Sequence, residues 1–194
     1  MKKLNLPNKL TLLRVLLVPA FVVFLVIDFT HVPELYARLI AAAIFGICSF
    51  TDMLDGKIAR KHDLITNFGK FMDPLADKFM VFAALLCICS SSYFASIRAF
   101  AVWAALIVFF RELAITSMRL LVVNASGVVI AANWMGKVKT VSQIIFILSA
   151  LLEVDLLWDI PVLTYVSMAV MTFFTIASGI NYMKAYWKAI DPEN

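Results

Sequence analysis

The chain has 194 residues, 63% of them hydrophobic and 15% charged, with a net charge of +4. Soluble domains carry about a quarter charged residues, so this chain has too little polar surface to cover a core in water. A bilayer is the solvent that suits it. Cys48, Cys87 and Cys89 all lie in apolar stretches, which speaks against a disulfide framework and against a metal pair at two-residue helical spacing.

In chain order, residues 1–8 set Lys2 and Lys3 before Leu4, Leu6 and Pro7, a pattern that predicts a short interfacial segment. No small-residue cleavage site follows, so no cleaved leader is expected. Six apolar segments come next, at residues 9–27, 36–58, 71–91, 97–122, 136–152 and 160–184. Each is near the roughly 20 residues that cross hydrocarbon. The expectation is one all-α domain over residues 1–194, a polytopic bundle of six transmembrane helices. With both termini in the cytoplasm, Arg38 and Arg98 alone of the 17 Lys and Arg fall on the outer side. That asymmetry orients the chain in a plasma membrane. It also directs the basic face toward anionic lipid, with no nucleic acid as partner.

The chemistry collects where the second and third segments meet. Asp52 and Asp55 are three apart, and Asp73 and Asp77 are four apart, so each pair shares a helix face. Only residues 62–67 join the two helices, which brings the four carboxylates together at one depth. Bare, they would repel strongly in a low-dielectric medium. Two divalent cations would neutralise them, and all-oxygen ligation favours Mg2+ or Mn2+. Such a pair suits phosphoryl chemistry. Gly56, Ala59 and Gly69 keep the surroundings thin enough for a phosphate or flat ring to approach, and Arg60 offers a planar fork of donors.

A second constellation is basic. Arg111, Glu112, Thr116 and Arg119 end the fourth segment, Lys137 and Lys139 begin the fifth, and the two lysines diverge on a helix. Glu112 is expected to partner Arg111 or Arg119. The four cations exceed what metal-loaded aspartates require, and the surplus suits a second anionic group such as a phosphorylated acceptor.

Asp52, Asp55, Gly56, Ala59, Arg60, Gly69, Asp73 and Asp77 stand in the pattern D-x-x-D-G-x-x-A-R, eight residues, G-x-x-x-D-x-x-x-D. The chain thereby resembles the CDP-alcohol phosphotransferase family. The resemblance implies a six-helix fold, usually homodimeric, in which a CDP-linked donor meets an alcohol. It implies that Asp52, Asp55 and Asp73 ligate metal, that Asp77 completes the metal site and serves as base, and that Gly56, Ala59, Arg60 and Gly69 line the CDP pocket. The stretches P-N-x-L-T-x-x-R, R-E-L-A-I-T-S-x-R-L and G-K-x-K-T are similar to family members that join CDP-diacylglycerol to glycerol 3-phosphate, giving phosphatidylglycerophosphate and CMP. This would add Asn8 and Thr11 to the CDP pocket and assign Arg111, Arg119, Lys137 and Lys139 to the acceptor phosphate. The same chemistry with inositol phosphate, serine or a phospholipid is the alternative. A divalent-cation transporter would want its carboxylates near the membrane midplane. Asp52 lies about 16 residues, or roughly 24 Å, into its span and beside many cations.

Overall fold

Pro7 sits in the first turn of the first helix, where its missing N–H leaves no bond unmade. The computed structural model describes residues 5–27, 33–61, 67–126, 134–153 and 161–187. Six α-helices fill them: α1 (Leu6–Val26), α2 (Glu34–Lys61), α3 (Asn67–Ser90), α4 (Arg98–Ser126), α5 (Trp134–Glu153) and α6 (Val162–Trp187), with one 3-10 turn (Ser92–Phe94) between α3 and α4. There is no strand among the described residues. The expected interfacial segment lies partly outside them, and Leu6 to Asn8 already belong to α1.

Five of the helices, all but α3, are long and apolar enough to cross a membrane. The exception has a physical cause: Lys70, Asp73, Asp77 and Lys78 crowd its opening turns. Large apolar side chains point outward along the bundle, among them Phe110 at 73% and Trp103 at 70% exposure. Facing water these would be a liability, and facing lipid they are the expected surface. The chain is an integral membrane protein.

The principal helix contacts close a ring. α1 packs on α2, α2 on α5, α5 on α6, α6 on α4, α4 on α3 and α3 back on α1, with a lesser α3–α5 contact across the middle. Val18, Phe21, Phe45, Leu85, Ile88, Phe146 and Ile147 are almost wholly buried at its centre. Hydroxyls inside the apolar helices turn back on their own carbonyls, as Thr175 does to Met171 at 2.7 Å. Ser149 and Ser167 pair across α5 and α6 at 2.7 Å.

At one end of the bundle the starts of α2, α4 and α6 meet the ends of α3 and α5. Arg38 is fully buried there and donates to the carbonyls of Ala150 and Leu151, each at 3.1 Å. It therefore satisfies carbonyls in the last turn of α5 that have no helical partner. Glu153 accepts from the backbone N–H of Leu163 at 2.9 Å and of Thr164 at 2.5 Å, capping the first turn of α6. Helix ends buried in an apolar bundle are thus supplied with side-chain partners.

Candidate active site

The opposite end gathers the starts of α1, α3 and α5 and the ends of α2, α4 and α6. Arg14 of α1 has a side chain 2% exposed, and its Nη1 donates to Asp52 Oδ1 at 2.6 Å and to Asp77 Oδ1 at 2.9 Å. One guanidinium nitrogen thereby holds carboxylates from α2 and α3 beside each other. A turn earlier on α1, Thr11 donates to Asp73 Oδ1 at 2.7 Å. Asn8, one turn earlier again, is buried, as is Gly69. So α1 serves as the strut against which α2 and α3 present their aspartates.

Asp55, Gly56, Ala59 and Arg60 continue α2 past Asp52, and their side chains lie outside the described residues. Among the described residues no group of three carboxylate, His or Cys side chains is assembled that could hold a metal ion. The donor set nevertheless fits a hard divalent cation: every group is a carboxylate, and Asp52 and Asp77 already converge on one positive charge. Both remain open to solvent, at 36% and 49% side-chain exposure.

Beside Asp52 and Asp77 opens a cavity of about 270 Å³. Asp52, Asp77 and Arg14 form one wall, and Lys78, Arg111, Arg119 and Lys139 form another. The remaining lining includes Phe45, Met80, Phe82, Ile115 and Ile144, which is apolar. The basic wall is built across three helices. Glu112 of α4 is buried and accepts from Arg111 Nη1 at 2.9 Å and from Lys139 of α5. Lys78 of α3 donates to Thr116, whose hydroxyl donates in turn to the Glu112 carbonyl at 2.7 Å. The Arg111 guanidinium lies 5.4 Å from the centre of the Tyr182 ring. Gly179 faces the Arg111 stem so closely that a Cβ there would meet Cγ at 3.2 Å. A single carboxylate, Glu112, thus orders a surplus of cations around a space that contains no other anion from α4 or α5.

Of the residues expected from the sequence, Asp52, Asp77, Arg111, Arg119 and Lys139 line this cavity. Asp73 stands beside it on Thr11, and Lys137 is exposed and does not line it. Glu112 pairs with Arg111 as expected and with Lys139 besides. Arg14, Lys78 and Gln143 join the lining without having been singled out as site residues. The signals for the first two were adjacency to Thr11 and Asp77, and for Gln143 helical spacing from Lys139.

The model of the CDP-alcohol phosphatidyltransferase family matches residues 4–178. The chain is 39% identical, over 98% of its length and 99% of the relative's, to a Bacillus subtilis protein named CDP-diacylglycerol–glycerol-3-phosphate 3-phosphatidyltransferase. It is 35% identical to a probable phosphatidylglycerophosphate synthase of Mycobacterium tuberculosis, over 92% of this chain and 80% of that one. A Yersinia enterocolitica protein with the same name as the Bacillus one is 32% identical over 96% and 97% of the two chains. In three dimensions this chain is similar to the crystal structure of Mycobacterium tuberculosis phosphatidylinositol phosphate synthase with CDP-DAG bound, with a TM-score of 0.65 and 20% identity, covering 95% of this chain and 89% of that one. Signature, fold and relatives agree: the chain belongs to the CDP-alcohol phosphatidyltransferase family.

Proposed function

We propose that the chain transfers the phosphatidyl group of CDP-diacylglycerol to glycerol 3-phosphate, releasing phosphatidylglycerophosphate and CMP. The observation that carries this reading is the single cavity with an acidic wall for metal and diphosphate and a basic wall for a second anion. The names of the Bacillus and Yersinia relatives support the same acceptor.

Asp52, Asp55, Asp73 and Asp77 would hold two Mg2+ or Mn2+ ions. Such ions, when bound, offset the charge of the donor diphosphate and of the CMP that leaves. Asn8, Thr11, Gly56, Ala59, Arg60 and Gly69 line the CDP pocket in this reading. Arg14 keeps Asp52 and Asp77 at a common point, and Thr11 steadies Asp73. Arg111, Arg119 and Lys139, joined by Lys78, receive the acceptor phosphate, while Lys137, which does not line the cavity, takes no part in it. Positioned so, the primary hydroxyl oxygen of glycerol 3-phosphate bonds to the phosphorus that carries the diacylglycerol. The bond from that phosphorus to the bridging oxygen breaks, CMP departs, and Asp77 takes the hydroxyl proton. A carboxylate is a weak base, so positioning and charge stabilisation supply much of the acceleration. The apolar wall lets the acyl chains reach lipid between helices. The enzyme works as a homodimer in the plasma membrane, with the site and both termini on the cytoplasmic side.

The test is CMP release from CDP-diacylglycerol with a panel of alcohols, with and without chelator. Glycerol 3-phosphate should support turnover, a chelator should stop it, and added Mg2+ or Mn2+ should restore it. Inositol phosphate is the second reading, suggested by the name of the phosphatidylinositol phosphate synthase that shares the fold, and turnover with it alone would replace the first. Undiminished turnover in excess chelator would remove the metals from the mechanism.

A further inference from the structure

In the proposed reaction the charged groups of the cavity serve two phosphates and a proton, and among the described neutral side chains that line it the amide of Gln143 has a buried donor with no partner. Gln143 lies on α5 four residues beyond Lys139, so the two side chains stand on one face of that helix. It is 3% exposed and lines the cavity. Its amide Nε2 donates to no group among the described residues. The neighbouring neutral groups are already engaged: Thr140 donates to the Gly136 carbonyl at 3.1 Å, and Thr116 is held between Lys78 and the Glu112 carbonyl. A buried donor at a cavity wall is costly to leave unmade, so the position calls for an oxygen from a ligand.

The chemistry of that oxygen follows from its surroundings. A phosphate is better served by the charged donors Lys139, Arg111 and Arg119 than by a neutral amide. A hydroxyl oxygen, which carries no charge, is the natural partner for an amide N–H. Gln143 stands about one helical turn, roughly 6 Å, along α5 from Lys139. In glycerol 3-phosphate the secondary hydroxyl sits on the carbon between the phosphate-bearing carbon and the reacting one. An acceptor gripped at its phosphate by Lys139 and turned toward Asp77 therefore carries that hydroxyl past Gln143.

We infer that Gln143 donates a hydrogen bond to the secondary hydroxyl of glycerol 3-phosphate and sets acceptor specificity, an inference that rests on the acceptor proposed above. The experiment compares kcat/KM for glycerol 3-phosphate and for 3-hydroxypropyl phosphate, which lacks only that hydroxyl, in wild type and in Gln143→Met. Wild type should prefer glycerol 3-phosphate by on the order of tenfold. Gln143→Met should treat the two acceptors within about twofold of each other, with the KM for CDP-diacylglycerol unchanged. A variant that keeps the wild-type preference, or a wild type that shows none, overturns the inference. If Gln143→Met does not fold, Gln143→Leu likewise has no group that can donate to or accept from a hydroxyl and carries the same expectation. A wild type that uses neither compound but does use another alcohol of the panel overturns the acceptor reading itself, a result distinct from a retained preference.

Discussion

Arg14, Asp52 and Asp77 make a three-residue unit in which one buried cation holds two partly exposed carboxylates. Removing the charge of Asp77 alone tests it as the base. Asp77→Asn preserves shape and should lower kcat by at least about a hundredfold, as loss of a general base does, while nucleotide binding remains measurable by calorimetry. Turnover near that of wild type would exclude Asp77 as the base. The basic wall allows a paired comparison. Arg119 lines the cavity and Lys137 does not. Arg119→Ala should therefore raise the KM for glycerol 3-phosphate on the order of tenfold or more, as loss of a charge-assisted hydrogen bond would, with a smaller effect on CDP-diacylglycerol. Lys137→Ala should change either constant by less than about threefold. Equal effects of Arg119→Ala on both substrates would take that residue out of the acceptor site. Two residues apart on a helix means about 200° of rotation, so the sequence could say that Lys137 and Lys139 part company. It could not say which one turns inward, because that depends on where α4 places Glu112.

Whole helices were legible because their signal is local. A run of apolar residues interrupted by charge marks a span whatever it packs against, and all six appear within a few residues of expectation. The meeting of Asp52 and Asp77 was legible for a related reason, since two short-range spacings and a short connection set the two helix ends side by side; Asp73 turns to Thr11, and the side chain of Asp55 lies outside the described residues. Contacts between distant helices were not. The roles of Arg14 and Gln143 arise from α1 and α5 packing on partners far along the chain, and no periodicity encodes that. The caps at the other end of the bundle belong to the same class. Glu153 ends α5 yet serves the first amides of α6, a pairing that no local spacing marks. Glu153→Gln loses charge-assisted acceptors for buried donors and should destabilise the fold by about 2 kcal/mol. Thermal unfolding in detergent should show this as a lowered Tm, with turnover per folded molecule retained below the transition. An unchanged Tm would mean that the α5–α6 junction draws its stability from apolar packing alone.

As a whole, the molecule divides its chemistry among helices. α2 and α3 carry the carboxylates, α4 and α5 carry most of the cations, and α3, touching α1, α4 and α5, joins the two groups. The expected orientation puts the exposed residues Lys137 and Lys184, near the start of α5 and the end of α6, on the cytoplasmic side. Single cysteines replacing them, in a chain freed of its native thiols, should react with a membrane-impermeant maleimide only after the cells are opened. Labelling of intact cells would reverse the orientation and move the site to the other face.

The charged opening of α3 leaves only residues 79–90 as its uninterrupted apolar stretch, about 18 Å of helix at 1.5 Å per residue. The hydrocarbon around it is about 30 Å thick. That mismatch is relieved when the leaflet dimples toward the protein and water follows the charges inward. In the proposed reaction a lipid donor would then meet water-borne glycerol 3-phosphate without either one leaving its own phase, because the boundary between the phases would be drawn down to the reacting phosphorus.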